Sequence, residues 1–138
     1  MHALITNQYE VRTRVNTLLI ADDEEMNITI LARKLQRLGY ATIDAFDGED
    51  AVSKVREYTR VNNSIPAAVL MDINMPNMNG IEATRILKEE FKTLPIIAVT
   101  AFALENFDYR ANGFDHLCRK PVDFKELVDK IELCKITH

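Results

Sequence analysis

Short apolar segments rich in β-branched residues alternate with longer segments of helical period from residue 17 onward. The short segments read TLLIA, YATIDAF, AAVLM, PIIAVT and HLCRK. Apolar runs of this length are typical of buried strands. Parallel strands need crossover connections, and these place helices over both faces of a sheet. The alternation therefore predicts an α/β fold with five parallel strands and about five helices.

Three of the helical segments have recognisable boundaries. The first covers about residues 24–38, the second begins after Asp47 and runs to about residue 58, and the last follows Asp123. Aspartate is a preferred N-cap, and Asp123 has capping-box spacing to Glu126. The first segment is predicted to be amphipathic, with one apolar face made of Met26, Ile30, Leu31, Leu35 and Leu38.

Two stretches lack a clear period. The stretch AFALENFDYRANG, which follows Thr100, mixes aromatic and charged residues, so the fourth helix is predicted to be short or irregular. Residues 1–16 have no period either. They are predicted to form an N-terminal linker or arm ahead of one domain over residues 17–138.

Composition and charge narrow the functional classes. The chain has 138 residues, of which 47% are hydrophobic, and this suits one globular domain. Its net charge is −4 with no run of Lys or Arg, which disfavours nucleic-acid and anionic membrane surfaces. No segment approaches the roughly 20 apolar residues of a membrane helix, and the start lacks secretory-signal features. We therefore expect a cytoplasmic location, with Cys118 and Cys134 as reduced core thiols.

Polar residues follow four of the predicted strands. Asp22 and Asp23 follow the first, Asp72 the third, Thr100 closes the fourth and Lys120 closes the fifth. The carboxyl ends of parallel strands meet at one edge of the sheet, where ligands bind in open α/β folds. Three carboxylates at one edge repel one another, and Mg²⁺ removes that conflict because it favours oxygen ligands. The pattern predicts a Mg²⁺ site with Asp23 and Asp72 as ligands and Asp22 behind them.

The same edge has the chemistry of phosphoryl transfer. Lys120 can pair with phosphoryl oxygens, and the Thr100 hydroxyl can donate a hydrogen bond to them. Asp72 stands at the tip of a buried strand, and a carboxylate can attack phosphorus to form an aspartyl phosphate. Each residue alone has a structural explanation, as an acidic helix start, a strand-end hydroxyl or a solvated lysine. Their conjunction favours a functional site.

Four motifs carry a resemblance to a known family. In chain order they are LLIADDEEMN, VLMDINMPNMNG, PIIAVTA and CRKP. Over about residues 17–136 they resemble the receiver domain of two-component response regulators. The first two motifs are most similar to receivers attached to hybrid histidine kinases. The resemblance implies a flavodoxin-like, doubly wound sheet with strand order 2-1-3-4-5.

The resemblance also implies roles in a phosphorelay. Asp72 would accept a phosphoryl group from a histidine kinase or a histidine phosphotransfer protein, and Lys120 and Thr100 would contact that group. Mg²⁺, or Mn²⁺, would be bound by Asp23, Asp72 and the backbone carbonyl of Asn74, with Asp22 as a nearer or water-mediated partner. Such a receiver would catalyse its own phosphorylation and slow dephosphorylation, without turnover of a separate substrate unless it is part of a hybrid histidine kinase.

Two features depart from the family pattern. The family usually has Tyr or Phe three residues before the lysine, whereas this chain has Leu117. The stretch from Thr100 to Gly113 is about two residues shorter than usual. The family's signalling face normally includes the fourth helix and fifth strand, so a changed output geometry is expected. The Lys120–Pro121 peptide bond is expected to be cis, as in the family.

Two other functions remain open. A receiver-like docking module would not need phosphate, and the presence of Asp72, Thr100 and Lys120 disfavours it. A Mg²⁺-dependent phosphohydrolase needs a second Asp close after the nucleophile, where this chain has Ile73 and Asn74.

Overall fold

The computed structural model describes residues 16–101 and 106–137. Within these ranges, no helix is long and apolar enough to cross a membrane. The elements in chain order are β1 (Thr17–Ala21), α1 (Glu25–Arg37), β2 (Ala41–Ala45), α2 (Gly48–Asn62), β3 (Ala68–Met71), α3 (Gly80–Glu90), β4 (Ile96–Thr100), β5 (His116–Arg119) and α4 (Phe124–Thr137).

The five strands form one parallel sheet in the order β2-β1-β3-β4-β5. The chain enters the sheet at β1, the second strand from one edge, adds β2 at that edge and then crosses back over β1 to add β3, β4 and β5 in turn. This order confirms the predicted doubly wound α/β fold, with its switch point between β1 and β3.

Successive residues of each strand point to opposite faces of the sheet and fill two separate cores. Leu19 of β1 faces the core under α2 and α3, and Leu18 faces the core under α1 and α4. Both residues are fully buried, as are most side chains of β3 and β4. The central strands are therefore apolar without alternation, as expected when helices cover both faces.

Side-chain caps fix the starts of three helices. The Asp47 carboxylate accepts a hydrogen bond from the Asp50 backbone N–H (2.7 Å), and Asp123 accepts one from Glu126 (3.2 Å). Both caps were predicted from the sequence and are confirmed. Asn79 caps α3 in the same way, with 2.9 Å to the Glu82 backbone nitrogen.

The predicted apolar face of α1 was partly wrong. Its buried residues are Ile28, Ala32 and Leu35, which lie at helical spacing against the sheet. Met26 and Ile30 are 69% and 51% exposed. Apolar residues occur on more than one side of this helix, so period alone did not identify the side that packs.

The prediction of about five helices was also too high for the described part of the chain, which contains four. The helix that was expected between β4 and β5 is the missing one among the described residues, and residues 109–113 form turns there. Phe107 and Tyr109 pack against the core under α2 and α3, and the Phe107 ring meets Phe114 edge to face at 6.2 Å. Aromatic side chains from a turn thus cover this part of the sheet, consistent with the weak helical pattern. The predicted arm at residues 1–16 lies outside the described residues apart from Asn16.

Both cysteines are buried, as predicted. Burial raises the pKa of the Cys118 and Cys134 thiols to about 11, so neither is a ready nucleophile at neutral pH. Met71 and Met75 are also buried and serve as core filling.

Candidate functional site

Backbone hydrogen bonds extend the sheet by one residue beyond three of its strands and so place the polar side chains at one edge. The Asp72 N–H donates to the Ala21 carbonyl at 2.9 Å, and the Lys120 N–H donates to the Thr100 carbonyl at 3.0 Å. Asp22 is held in the same way by the carbonyl of Ala45. Backbone pairing thus holds these side chains at the carboxyl edge of the sheet.

The three aspartates converge. One carboxylate oxygen from each of Asp22, Asp23 and Asp72 lies within 4.8 Å of the others. Asp22 and Asp72 are 5% and 6% exposed, whereas Asp23 is exposed. Carboxylate oxygens at this spacing suit a hard divalent cation that keeps part of its hydration shell, and Asp23 leaves a side open to solvent.

Lys120 compensates the two buried carboxylates. Its Nζ lies 2.7 Å from Asp22 Oδ2 and 3.1 Å from Asp72 Oδ2. Burial alone would lower the pKa of Lys120, but its hydrogen bonds to both aspartates outweigh this and raise it. The lysine is therefore fixed as a cation between two acids, within reach of any anion that binds at Asp72.

Asp72 has a perturbed titration. Burial raises the pKa of its carboxyl group, and the favourable contacts with Lys120 offset that effect only in part. The nearby Asp22 raises the pKa further, while the Asn74 backbone N–H donates to Asp72 Oδ1 at 3.3 Å and lowers it. The folded, metal-free protein thus holds the Asp72 proton more tightly than a free aspartic acid does.

This perturbation predicts how stability depends on pH. Because the pKa of Asp72 is higher in the folded than in the unfolded protein, the folded state holds the proton more tightly. The free energy of unfolding therefore falls as pH rises from the unfolded pKa to the folded pKa. The substitution Asp72→Asn removes this penalty, so in EDTA it should raise the free energy of unfolding at neutral pH. The gain should vanish below the ordinary carboxyl pKa. Urea unfolding of the parent and of Asp72→Asn at several pH values measures this gain in the free energy of unfolding and its loss at low pH. An equal gain at every pH would contradict this explanation.

Asp22 has two further contacts besides Lys120. The Glu24 backbone N–H donates to Asp22 Oδ1 at 2.9 Å, and the Asn27 side-chain amide lies 3.4 Å from Oδ2. Asn27 was not predicted to belong to the site. Its position in the first turn of α1, two residues after the last of the acidic residues, is the signal that could have indicated such a role.

The site opens into a cleft of about 310 Å³. Thr100, which is 2% exposed, lies in its wall together with Lys120, Asp23 and Asp72. This cleft, together with the Asp22 carboxylate that contacts Lys120 behind it, brings together the residues predicted for the site. The complete lining is Asp23, Glu24, Asp72, Asn74, Thr100, Ala101 and Lys120. The Lys120–Pro121 bond that leads away from this cleft is cis, as expected.

Gly80 is a further determinant of the site that the sequence analysis did not identify. A Cβ atom at this position would lie 2.0 Å from the Asp72 carbonyl oxygen. The Gly80 N–H donates to the Ile73 carbonyl at 2.8 Å. The start of α3 therefore packs directly on the backbone that carries Asp72.

Comparisons with known proteins agree with this geometry. The family model for the response regulator receiver domain matches residues 18–132. The polar-differentiation response regulator DivK of Brucella ovis is 32% identical over 120 residues, which cover 84% of this chain and 93% of that protein. DivK of Brucella anthropi is 31% identical over the same length.

Solved structures share the fold. The response regulator TrrA of Thermotoga maritima, in complex with Mg²⁺ and BeF, has a TM-score of 0.74 at 28% identity, covering 87% of this chain and 99% of that one. A CheY-like receiver domain protein of Methanospirillum hungatei has a TM-score of 0.77 at 21% identity, covering 91% of this chain and all of that one. The second likeness concerns the fold alone.

Proposed function

Because the chain belongs to the response regulator receiver domain family, we propose that Asp72 is the residue through which it accepts a phosphoryl group in two-component signalling. One observation carries this assignment. The buried Asp72 carboxylate faces an open cleft, with a lysine 3.1 Å away and two further carboxylates beside it. This arrangement provides a nucleophile, a cation for the incoming anion and access from solvent.

Transfer proceeds by displacement at phosphorus. An Asp72 carboxylate oxygen attacks the phosphorus of a phosphohistidine, an O–P bond forms and the N–P bond breaks, and the imidazole nitrogen keeps the electron pair. Lys120 pairs with an oxygen of the transferred group. The Thr100 side chain lines the same cleft and donates its hydroxyl hydrogen to a second oxygen. These residues act by position and charge, which is the main requirement of phosphoryl transfer.

The acidic cluster is proposed to hold Mg²⁺ or Mn²⁺. Asp23 and Asp72 would be carboxylate ligands, Asn74 would contribute its backbone carbonyl, and the buried Asp22 would bind directly or through water. When bound, the cation supplies positive charge that offsets the negative charge gathered on the phosphoryl oxygens. The chemistry of the donor set supports this, because three carboxylates converge while Lys120 contributes a single positive charge between two of them.

The phosphoryl donor is proposed to be a histidine kinase or a histidine phosphotransfer protein, the partners typical of receivers. Exposed Met26 and Ile30 on α1 provide apolar surface next to the acidic edge for such a protein. The similarity to receivers of hybrid histidine kinases stays a prediction, because the relatives described above are named as response regulators. The cytoplasmic location likewise stays a prediction.

The output is proposed to use a geometry different from that of a receiver that has a complete helix between its fourth and fifth strands. Leu117 stands in β5 where an aromatic residue is usual, and the aromatic turn of Phe107, Tyr109 and Phe114 covers the adjoining core. A shift of the phosphorylated site would therefore reach the surface through this turn and the partly buried Leu117.

The proposal predicts a Mg²⁺-dependent covalent product. Incubation with acetyl phosphate and Mg²⁺ should add one phosphoryl group to most molecules, and EDTA should prevent the addition. Intact-mass spectrometry measures both. If a folded, Mg²⁺-binding protein gains no mass under any condition, a phosphate-independent docking module becomes the better description.

A further inference from the structure

The loop that carries Asn74 is attached at its tip to a neighbouring helix. This β3–α3 loop comprises residues 72–79. The Asn77 side-chain amide donates to Asp47 Oδ2 at 2.7 Å, and the Gly48 backbone N–H donates to the Met78 carbonyl at 2.9 Å. Two consecutive residues at the start of α2 thus bind two consecutive residues of the loop.

The two attachment residues are suited to this contact. Asp47 uses one carboxylate oxygen to cap α2 and the other to bind Asn77. The hydrogen bond from the Asp50 backbone lowers the pKa of Asp47 most, and the hydrogen bond from Asn77 lowers it further. Gly48 is buried, and a Cβ atom there would lie 2.3 Å from the Met78 carbonyl oxygen. Only glycine allows the first turn of α2 to approach the loop this closely.

The loop is also fixed at its base, where it leaves β3 and enters α3. Asn74 donates its N–H to Asp72 Oδ1 at 3.3 Å, and the Gly80 N–H donates to Ile73 at 2.8 Å. Asn74 lies in the short span between these contacts and the tip. With both ends fixed, the Asn74 carbonyl has little freedom to move relative to Asp72.

We propose that Asp47 and Gly48 are positioning residues for the Asn74 carbonyl, because they hold the loop tip on α2 and so fix where this carbonyl meets a divalent cation. The inference rests on the proposed function of the Asn74 carbonyl as a metal ligand. It adds residues that contact neither the cation nor the phosphoryl group. A metal ligand that is already ordered costs less to bring into coordination, so the contact should raise metal affinity.

Asn77→Gly is the sharpest test of the attachment. Asn77 has a φ of +67°, a conformation that glycine adopts without strain, so the substitution removes the side-chain hydrogen bond and keeps the backbone path. Asn63 is the matched control, since it has a φ of +53° at the end of α2 and Asn63→Gly costs similar backbone entropy. Neither substitution changes the net charge near the aspartates.

Mg²⁺ affinity is the readout that a purely structural role would not change. Calorimetric titration of Asn77→Gly should give about tenfold weaker Mg²⁺ binding, at the lower end of the effects seen when residues that orient metal ligands are changed. Asn63→Gly should bind Mg²⁺ like the parent. In EDTA, amide hydrogens of residues 74–79 should exchange faster in Asn77→Gly alone. Saturating Mg²⁺ should restore its rate of phosphorylation by acetyl phosphate.

A double-mutant cycle and a second variant complete the test. Asp47→Ser keeps a helix cap but loses the bond to Asn77, so it should add little to the Mg²⁺ defect of Asn77→Gly. Gly48→Ala should weaken Mg²⁺ binding at least as much, because the new methyl group displaces Met78. Parent-like affinity in Asn77→Gly, or an equal loss in Asn63→Gly, would overturn the proposal. If the affinities differ as expected but the parent never accepts a phosphoryl group, the positioning role stands and the proposed function fails.

Discussion

Lys120→Met should lower the free energy of unfolding of the metal-free protein by about 3 kcal/mol at neutral pH, since breaking a buried ion pair leaves charge uncompensated. Lys120 Nζ lies 2.7 Å from Asp22 Oδ2 and 3.1 Å from Asp72 Oδ2, and the side chains of both aspartates are only 8% exposed. Methionine retains an unbranched apolar chain, so the substitution removes mainly the charge. Two buried carboxylates would then face each other without a cation.

The loss should depend on pH and on Mg²⁺. Acidification protonates Asp72, whose pKa burial raises, and so removes the repulsion between the two carboxyl groups. The difference from the parent should therefore shrink as pH falls. Added Mg²⁺ should stabilise Lys120→Met more than the parent, because the cation replaces the missing charge. Denaturant unfolding with EDTA or Mg²⁺ measures this. Lys125→Met is the control: its pair with Asp129 is exposed, and its loss should cost less than about 0.5 kcal/mol. A pH-independent loss in Lys120→Met would contradict the electrostatic explanation.

Gly80→Ala should be a second severe change, with a loss of about 3 kcal/mol in the free energy of unfolding, at the upper end of overpacking effects. The added methyl group would meet the carbonyl oxygen of Asp72 at 2.0 Å and the Cα of Ile73 at 2.9 Å. Both are backbone atoms, so no rotamer change can relieve the contact. The start of α3 and the Asp72 backbone must separate, and phosphorylation of the remaining folded protein should slow.

Gly39→Ala separates steric contact from backbone strain. Gly39 has a φ of +96°, but among the described residues nothing lies within 4 Å of the place that an added methyl group would take. Its substitution should therefore cost only about 1–2 kcal/mol, from the left-handed conformation alone. Thermal and denaturant unfolding of both variants gives the comparison. A smaller loss in Gly80→Ala than in Gly39→Ala would show that the backbone at Asp72 adjusts easily.

The fold was predictable because its signals are local and repeated. Five apolar runs separated by helical segments leave little choice besides a parallel sheet with helices on both faces. The side of α1 that packs was not predictable in the same way. Met26 and Ile30 are as apolar as the buried Ile28, and only the position of the helix on the sheet leaves them exposed.

The site likewise has a part that the sequence predicts and a part that it does not. Asp22, Asp72, Thr100 and Lys120 could be placed together because parallel strands bring their carboxyl ends to one edge. The attachment of Asn77 to Asp47 joins residues 30 positions apart in two loops, and no local pattern predicts such a contact. The turn that stands in place of a helix between β4 and β5 was indicated only by the weakness of the helical pattern.

The most direct test of the central claim is to locate the phosphoryl group in the chain. After phosphorylation with acetyl phosphate and Mg²⁺, borohydride reduces an aspartyl phosphate to homoserine, and peptide mass spectrometry identifies the modified position. Asp72 as the nucleophile predicts homoserine at position 72 alone, and none in the Asp72→Asn variant. Homoserine at Asp22 or Asp23, or an unmodified Asp72 in a protein that has gained a phosphoryl group, would contradict the assignment.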